Sequence, residues 1–229
     1  MWNGKKKAVT FSYDDGIESD RRLVEIFNWY GMKATFNLNS GIQTGANRFE
    51  IKGVPVRRMN AAGLPGLYAG HEIAVHCLTH AKLTREDDET VYNELTADRQ
   101  NLEARFAQKI NGMAYPYGAY DERVKKLLKS CGFLYARTVE ETGDFSISSD
   151  YLALKPSAHH NRADLFEMIE RFTALEPDEP AMLYIWGHSY EFDVYQNWDR
   201  IEEICRRLSG HDDIFYGTNS EVLLDVKLS

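Results

Sequence analysis

The sequence predicts an α/β fold: a distorted or incomplete (β/α) barrel of seven to eight parallel strands, TIM-barrel-like in plan. Three observations carry this. Short apolar, β-branched runs alternate with longer amphipathic segments along the chain, and such alternation implies parallel strands joined by crossover helices. Seven or eight units are too many for a short open sheet and suit a barrel. The 229 residues are 43% hydrophobic, with only six prolines and no linker-like tract. One core, and hence a single domain over residues 1–229, is expected.

Taken in order, the strands are expected at Ala8–Tyr13, Lys33–Asn39, Glu72–His76, Met113–Tyr117, Leu134–Val139, Tyr151–Pro156, Met182–Gly187 and Ile214–Gly217. The helices between and after them are expected at Glu18–Tyr30, Arg85–Phe106, Asp121–Ser130, Ala163–Leu175 and Trp198–Leu208. Gly31 and Gly132 stand where a glycine stops a helix, and Thr84 followed by Asp87 resembles a capping box opening the second helix. Between Ser40 and Met59 the rhythm breaks. Two short β-like runs around Lys52-Gly53 predict an inserted hairpin, either a wall for a binding groove or a surface decoration.

Charge and cysteine usage narrow the function classes. The formal net charge is −8 and the isoelectric point about 5.4, a surface that repels phosphate backbones and anionic lipid, so neither nucleic acid nor membrane is an expected partner. No apolar run has the length of a signal peptide or a membrane span. Cys77, Cys131 and Cys205 are odd in number and widely spaced, as reduced thiols would be, and a cytoplasmic location is expected.

Four signals carry chemistry. Ser12-Tyr13-Asp14-Asp15-Gly16 ends a strand in two adjacent carboxylates, which a bound cation explains and a plain Asp-Gly turn also explains. His76 and His80 follow a strand at a spacing of four, which in a helical turn places both imidazoles on one side, as two ligands of one metal require. Tyr115-Pro116-Tyr117-Gly118 is a third strand-to-turn junction, and Trp186-Gly187-His188 a fourth. Each alone is weak. All four fall at strand C-termini, which a parallel barrel gathers on its catalytic face. Cys77, neighbouring His76 in the chain, is expected to pack as a small thiol rather than to ligate.

With these motifs in view, the chain resembles the polysaccharide deacetylases, the nodulation-protein-like carbohydrate esterases of family 4. The family's T-F-D-D-G is matched by Ser12-Tyr13-Asp14-Asp15-Gly16, and its H-S/T-x-x-H by His76-Cys77-Leu78-Thr79-His80. R-x-P-Y aligns with Ala114-Tyr115-Pro116-Tyr117, and L-x-H with Trp186-Gly187-His188. The resemblance implies that Asp15, His76 and His80 bind one divalent metal, zinc foremost, with cobalt, manganese or iron as alternatives. It further implies Asp14 as general base, His188 as general acid and the Tyr117 N–H as an oxyanion donor. Trp186 and Tyr190 are candidate substrate-binding aromatics beside His188, and an N-acetylated sugar or oligosaccharide is the implied substrate.

The departures matter as much. Ala114 stands where the family has arginine, Cys77 where it has a hydroxyl residue and Trp186 where it has leucine. The fourth motif, an Asp-Trp element, has no counterpart in Lys155-Pro156-Ser157-Ala158-His159-His160. Some other group must hold Asp14. Arg137, Lys155, His159 and His160 are the candidates, and the histidine pair is favoured because it lies just past its strand, whereas Arg137 lies inside one. Three rival activities stay open: hydrolysis of a cyclic ureide or imide, O-acetyl esterase action, and a catalytically inactive carbohydrate-binding barrel.

Overall fold

Strands that are buried on both faces read as unbroken runs rather than alternations, and Lys7–Asp14 and Ala181–Gly187 are buried at every position. The computed structural model describes residues 1–227. Along the chain lie β1 (Lys7–Asp14), α1 (Asp20–Trp29), β2 (Ala34–Leu38), β3 (Arg48–Ile51), β4 (Val54–Arg57), α2 (Leu64–Leu67), β5 (Glu72–Val75), α3 (Asp88–Phe106), β6 (Gly112–Ala114) and α4 (Glu122–Ser130). There follow β7 (Tyr135–Arg137), β8 (Ala158–His159), α5 (Leu165–Thr173), β9 (Ala181–Gly187), α6 (Tyr190–Val194), α7 (Trp198–Leu208), β10 (Ile214–Tyr216) and α8 (Asn219–Lys227).

The main sheet runs β7-β6-β5-β2-β1-β9-β8, with β10 also on β1, and all its pairings are parallel. On one edge β1 pairs first with β10, through Lys7–Val9, and then with β2, through Phe11–Asp14. The expected distorted barrel is therefore present, and its distortion has a place. Instead of the expected strand Tyr151–Pro156, that stretch makes an isolated bridge from Leu154 to Arg137. Pro156 has no N–H to give a ladder, and regular pairing resumes only at Ala158–His159. The Ser157 N–H donates to Tyr184 O at 2.8 Å, so this irregular seam joins β7 to β9. The hairpin is present as β3 and β4, antiparallel about Lys52 and Gly53.

The start of α3 lies three residues later than expected, and the short helices α2 and α6 have no counterpart among the expected helices. Helix α3 begins at Asp88 because Asp87, not Thr84, caps it, its carboxylate accepting from the Thr90 N–H at 2.7 Å. Helix α8 was not foreseen. Its signal is Thr218-Asn219-Ser220-Glu221, a reciprocal cap in which the Thr218 N–H donates to Glu221 Oε2 (2.9 Å) and the Glu221 N–H to Thr218 Oγ1 (3.3 Å). It covers the N-terminal end of the barrel: the Ser220 N–H donates to Glu72 at 2.8 Å, and the Trp2 indole to Val222 O at 2.9 Å. Gly31 and Gly132 stop α1 and α4 with φ of +67° and +78°, as expected.

Side chains of alternate strand residues separate into two cores. Val9, Phe11 and Tyr13 of β1 pack outward with Leu23 and Phe27 of α1 and Ile201 and Ile204 of α7. Ala8, Tyr135, Met182 and Tyr184, with Trp2 and Leu223, form the second cluster, inside the lower barrel. Higher up, the inward positions turn polar, with Thr10, Ser12 and Asp14 on β1, Asn37 on β2 and Arg137 on β7, all buried. That polar layer supports the site. Among the described residues no helix is long and apolar enough to cross a membrane.

Candidate active site

Adjacent residues of a strand face opposite ways, yet Asp14 and Asp15 line the same cavity, which has a volume of about 580 Å³. The backbone resolves the conflict. Asp15 adopts φ +85°, a left-handed conformation that costs a non-glycine residue about 1–3 kcal/mol. Its neighbours hold it there: Asp15 O accepts from Gln43 Nε2 (2.8 Å) and Arg58 Nη1 (2.7 Å), and the Asp15 N–H donates to Asn37 O (3.0 Å).

His76 and His80 join them, though not through a helical turn. The segment after β5 is irregular, with φ of +64° at both Cys77 and His80, and this folds His80 back over His76, ring centroids 4.8 Å apart. His76 Nδ1 lies 2.8 Å from Ala114 O. A carbonyl only accepts, so Nδ1 carries the proton and the Nε2 lone pair is left for a ligand. Donor atoms of Asp15, His76 and His80 all lie within 4.8 Å of one another, with His80 Nε2 3.6 Å from Asp15 Oδ1.

Charge states suit the same end. Burial lowers the pKa of His76 and takes His80 down to about 4, so both are neutral near pH 7. Burial would raise Asp15, but Arg58 and the three nearby histidines bring it down to about 2. Arg58 Nη2 donates to Asp15 Oδ1 at 2.9 Å, occupying one of that oxygen's two lone pairs. Two neutral imidazoles, one of them tied to a backbone carbonyl, and one carboxylate make a donor set that fits a divalent ion. Cys77 is buried within the outer hydrophobic core, as a packed thiol.

Asp14 is held by Arg137, not by the histidine pair. The guanidinium Nη2 reaches Asp14 Oδ1 and Oδ2, each at 2.5 Å, while Nε donates to Ser12 Oγ (3.1 Å) and Nη1 to Thr138 O (3.1 Å). The reason is register. Arg137 on β7 is the direct partner of Ala114 on β6, so it stands at the same height as the position the family fills with arginine, one strand over. Asn37 Nδ2 adds a bond to Asp14 Oδ1 at 2.8 Å. Burial works against ionisation, but Arg137, His76 and His188 keep the Asp14 carboxyl below its usual range.

His188 directly follows β9, with Nε2 3.9 Å from Asp14 Oδ2. Burial alone would lower its pKa. The carboxylates of Glu191, Asp14 and Asp15 overcome this and raise it to about 9, so the ring is a cation near pH 7. His159 and His160 turn instead to Glu191, with Nε2 distances to its Oε2 of 2.9 and 3.1 Å. Despite burial, these histidines and His188 hold the Glu191 carboxyl far below its usual range.

The walls are aromatic. Tyr117, in a turn with φ +59°, sets its ring edge-on to His80 (4.6 Å). Trp186 lies under the Arg137 guanidinium, 4.7 Å from the ring centroid. Tyr190 meets Phe49 of the hairpin edge-to-face at 5.8 Å, and Phe49 and Ile51 line the cavity. The hairpin is thus a wall. All eight residues singled out from the sequence, Asp14, Asp15, His76, His80, Tyr117, Trp186, His188 and Tyr190, line this one cavity. Arg58 and Glu191 were missed. Arg58 leaves no trace in local sequence, whereas Glu191 follows His188 by three residues on a helical turn.

Fold and site define a class, a parallel (β/α) barrel with a carboxylate–histidine centre at its strand C-termini. The chain belongs to the polysaccharide deacetylase family, whose model matches residues 2–136. It is 24% identical over 163 residues to chitin deacetylase 2 of Cryptococcus neoformans, covering 65% of this chain and 34% of the relative. The chain thus spans about a third of the length of that curated relative. Among solved structures it is similar to the Xyl-CE4 domain of a multidomain xylanase from the hindgut metagenome of Trinervitermes trinervoides (TM-score 0.62, 17% identity, covering 98% of this chain and 92% of that one). It is also similar to a family 4 carbohydrate esterase from Streptomyces lividans, solved with acetate (TM-score 0.60, 16% identity, 93% of each chain). At such identities these two likenesses concern the fold.

Proposed function

We propose that the protein is a metal-dependent deacetylase that removes the acetyl group from an N-acetylated sugar or oligosaccharide. The observation that carries this reading is the opposition of Asp14 and His188, 3.9 Å apart, beside the trio Asp15, His76 and His80. An anionic carboxylate and a cationic imidazole meet at one centre, as amide hydrolysis needs a base for water and an acid for the leaving amine.

In this reading Asp15, His76 and His80 hold the ion, zinc foremost. When bound, it supplies Lewis acidity to the acyl carbonyl and acidifies the attacking water. Asp14, fixed by Arg137 and Asn37, takes the proton from that water. His188 gives its Nε2 proton to the departing nitrogen. The Tyr117 N–H donates to the oxyanion of the tetrahedral intermediate, and Trp186, Tyr190 and Phe49 offer faces and edges to a sugar ring. Positioned acids and bases contribute about 10²–10⁴-fold each. Retention of base, acid and ligand set together speaks against an inactive binding barrel, since binding alone requires none of the proton-transfer groups.

The test is a substrate screen with metal-reconstituted protein, using N-acetyl sugars, O-acetyl sugars and cyclic ureides, with released acetate and released amine measured separately. Acetate and amine appearing in equal amounts support the proposal. Acetate without amine makes the protein an esterase, and ring opening of a ureide alone overturns the deacetylase reading.

A further inference from the structure

The family's fourth-motif carboxylate is missing from this sequence, and the neighbourhood of His188 contains a candidate that occupies a different place in the chain. We propose that Glu191 is the positioning residue for His188, holding the imidazole from behind so that Nε2 faces the leaving nitrogen. This rests on the deacetylase reading and adds a residue to it.

The geometry is built around one carboxylate oxygen. Glu191 Oε2 accepts from the His188 N–H at 3.2 Å and lies 3.7 Å from His188 Nδ1, on the far side of the ring from Asp14. In return the Glu191 N–H donates to His188 O at 3.1 Å, so acid and support are locked to each other through the backbone at the start of α6. The contact of 3.7 Å is too long for a hydrogen bond, and His188 Nδ1 has no other partner among the described residues. A small turn of the ring closes it. Catalytic hydrogen bonds are commonly long in the free enzyme and tighten with substrate.

Two further histidines contact the same carboxylate oxygen. His159 Nδ1 accepts from the Asn161 N–H at 3.1 Å, which leaves the proton on Nε2, 2.9 Å from Glu191 Oε2. His160 is fully buried, packed between Tyr13 and Phe192 with centroid distances of 5.6 and 4.2 Å, and its Nε2 is 3.1 Å from the same oxygen. Gly187 makes room for it: a Cβ there would fall 2.1 Å from His160 Nδ1. Glu191 is not among the cavity-lining residues, so it acts through His188 and not on substrate. The arrangement matches the logic by which a buried carboxylate fixes the tautomer and orientation of a catalytic histidine.

The experiment compares wild type with Glu191→Gln, a change that keeps size and removes charge. Two substrates are read, an N-acetyl amino sugar and nitrophenyl acetate, whose nitrophenolate departs without a proton. The expected result is a fall in kcat on the amide of about 10²-fold or more, with KM, nitrophenyl acetate turnover and bound metal unchanged. Equal losses on both substrates, or undiminished amide turnover, overturn the proposal. A second equivalent of metal in wild type that the variant lacks also overturns it, because His159, His188 and Glu191 have donor atoms within 4.8 Å of one another and would then be ligands. A readout independent of turnover is the Nδ1–H resonance of His188 in isotope-labelled, metal-loaded protein. It is expected downfield and protected in wild type and lost in Glu191→Gln; its absence from wild type refutes the pairing. Should wild type hydrolyse no N-acetyl substrate, the deacetylase reading fails while the resonance still decides whether Glu191 holds His188.

Discussion

Replacing Arg137 by methionine retains most of the side chain's apolar stem and deletes the charge that Asp14 leans on. Arg137 is fully buried and Asp14 is 2% exposed, so water cannot readily replace the lost guanidinium. Removing one partner of such a buried pair costs about 3–5 kcal/mol. At about 2–4 °C per kcal/mol for a chain of this size, the melting temperature of metal-stripped Arg137→Met should fall by roughly 6–20 °C near pH 7. The surviving bond from Asn37 Nδ2 places the expectation toward the lower end. The loss has a pH signature. Because the folded-state pKa of Asp14 is depressed, its stabilisation is present above the unfolded value of about 3.9 and is lost as pH falls through the folded value. The gap between wild type and variant should therefore shrink on acidification below about pH 4. In the metal-loaded protein, turnover should fall by about 10²–10⁴-fold as the base loses its orientation. Thermal unfolding against pH, with steady-state kinetics on the same preparations, checks both. Unaltered melting at pH 7, or a gap that does not narrow in acid, would refute the argument.

Other expectations follow from the same geometry. Wild type should bind one divalent ion per chain, and His80→Ala should abolish tight binding while His71→Ala, whose ring sits behind β2 against Phe36, should not; elemental analysis after gel filtration decides. Asp14→Asn should keep the metal and lose about 10²–10⁴-fold in turnover; loss of metal with the residual rate retained would mean that Asp14 and Asp15 exchange roles. His188 has a folded pKa raised to about 9, so its stabilising charge is fully present below its unfolded value of about 6.5 and is lost as pH rises through 9. Metal-free His188→Gln should accordingly melt below wild type at pH 6 and converge with it at about pH 10, and parallel melting curves across that range would count against the charge contact with Asp14 and Glu191.

Much of the architecture was legible because parallel strands leave apolar runs of strand length and helices leave amphipathic ones. The site was legible where chemistry sits at strand ends in short motifs, as with Asp14, Asp15, His76, His80 and His188. What was not legible depended on register or on loop geometry. Arg137 is one of four candidates in the sequence, and only its pairing with Ala114 selects it, since a shift of one position would turn it toward the helices. His159 and His160 were placed on the correct face but matched to the wrong carboxylate, because Glu191 lies on a helix that only the fold brings beside them. The left-handed conformations of Asp15, Cys77 and His80 are not specified by sequence, since none is glycine, and Asp and His, though enriched there, adopt them in only a small minority of cases. Helix α8 was missed despite a capping signature, Thr218 with Glu221, that stands openly in the sequence.

The relocation of one cation from β6 to β7 bears on how distant members of this fold are judged. Within the barrel, an inward position is specified by its height above the floor and by the ring it belongs to, and neighbouring strands supply interchangeable seats in that ring. A pattern that insists on arginine two places before the proline would discard this chain as degenerate, although the guanidinium sits against the same carboxylate. Homologues that seem to lack the residue deserve a survey of adjacent seats before being set aside. The reciprocal transplant, Ala114→Arg combined with Arg137→Ala, asks whether the two seats are equivalent, with recovery of turnover over Arg137→Ala alone as the answer.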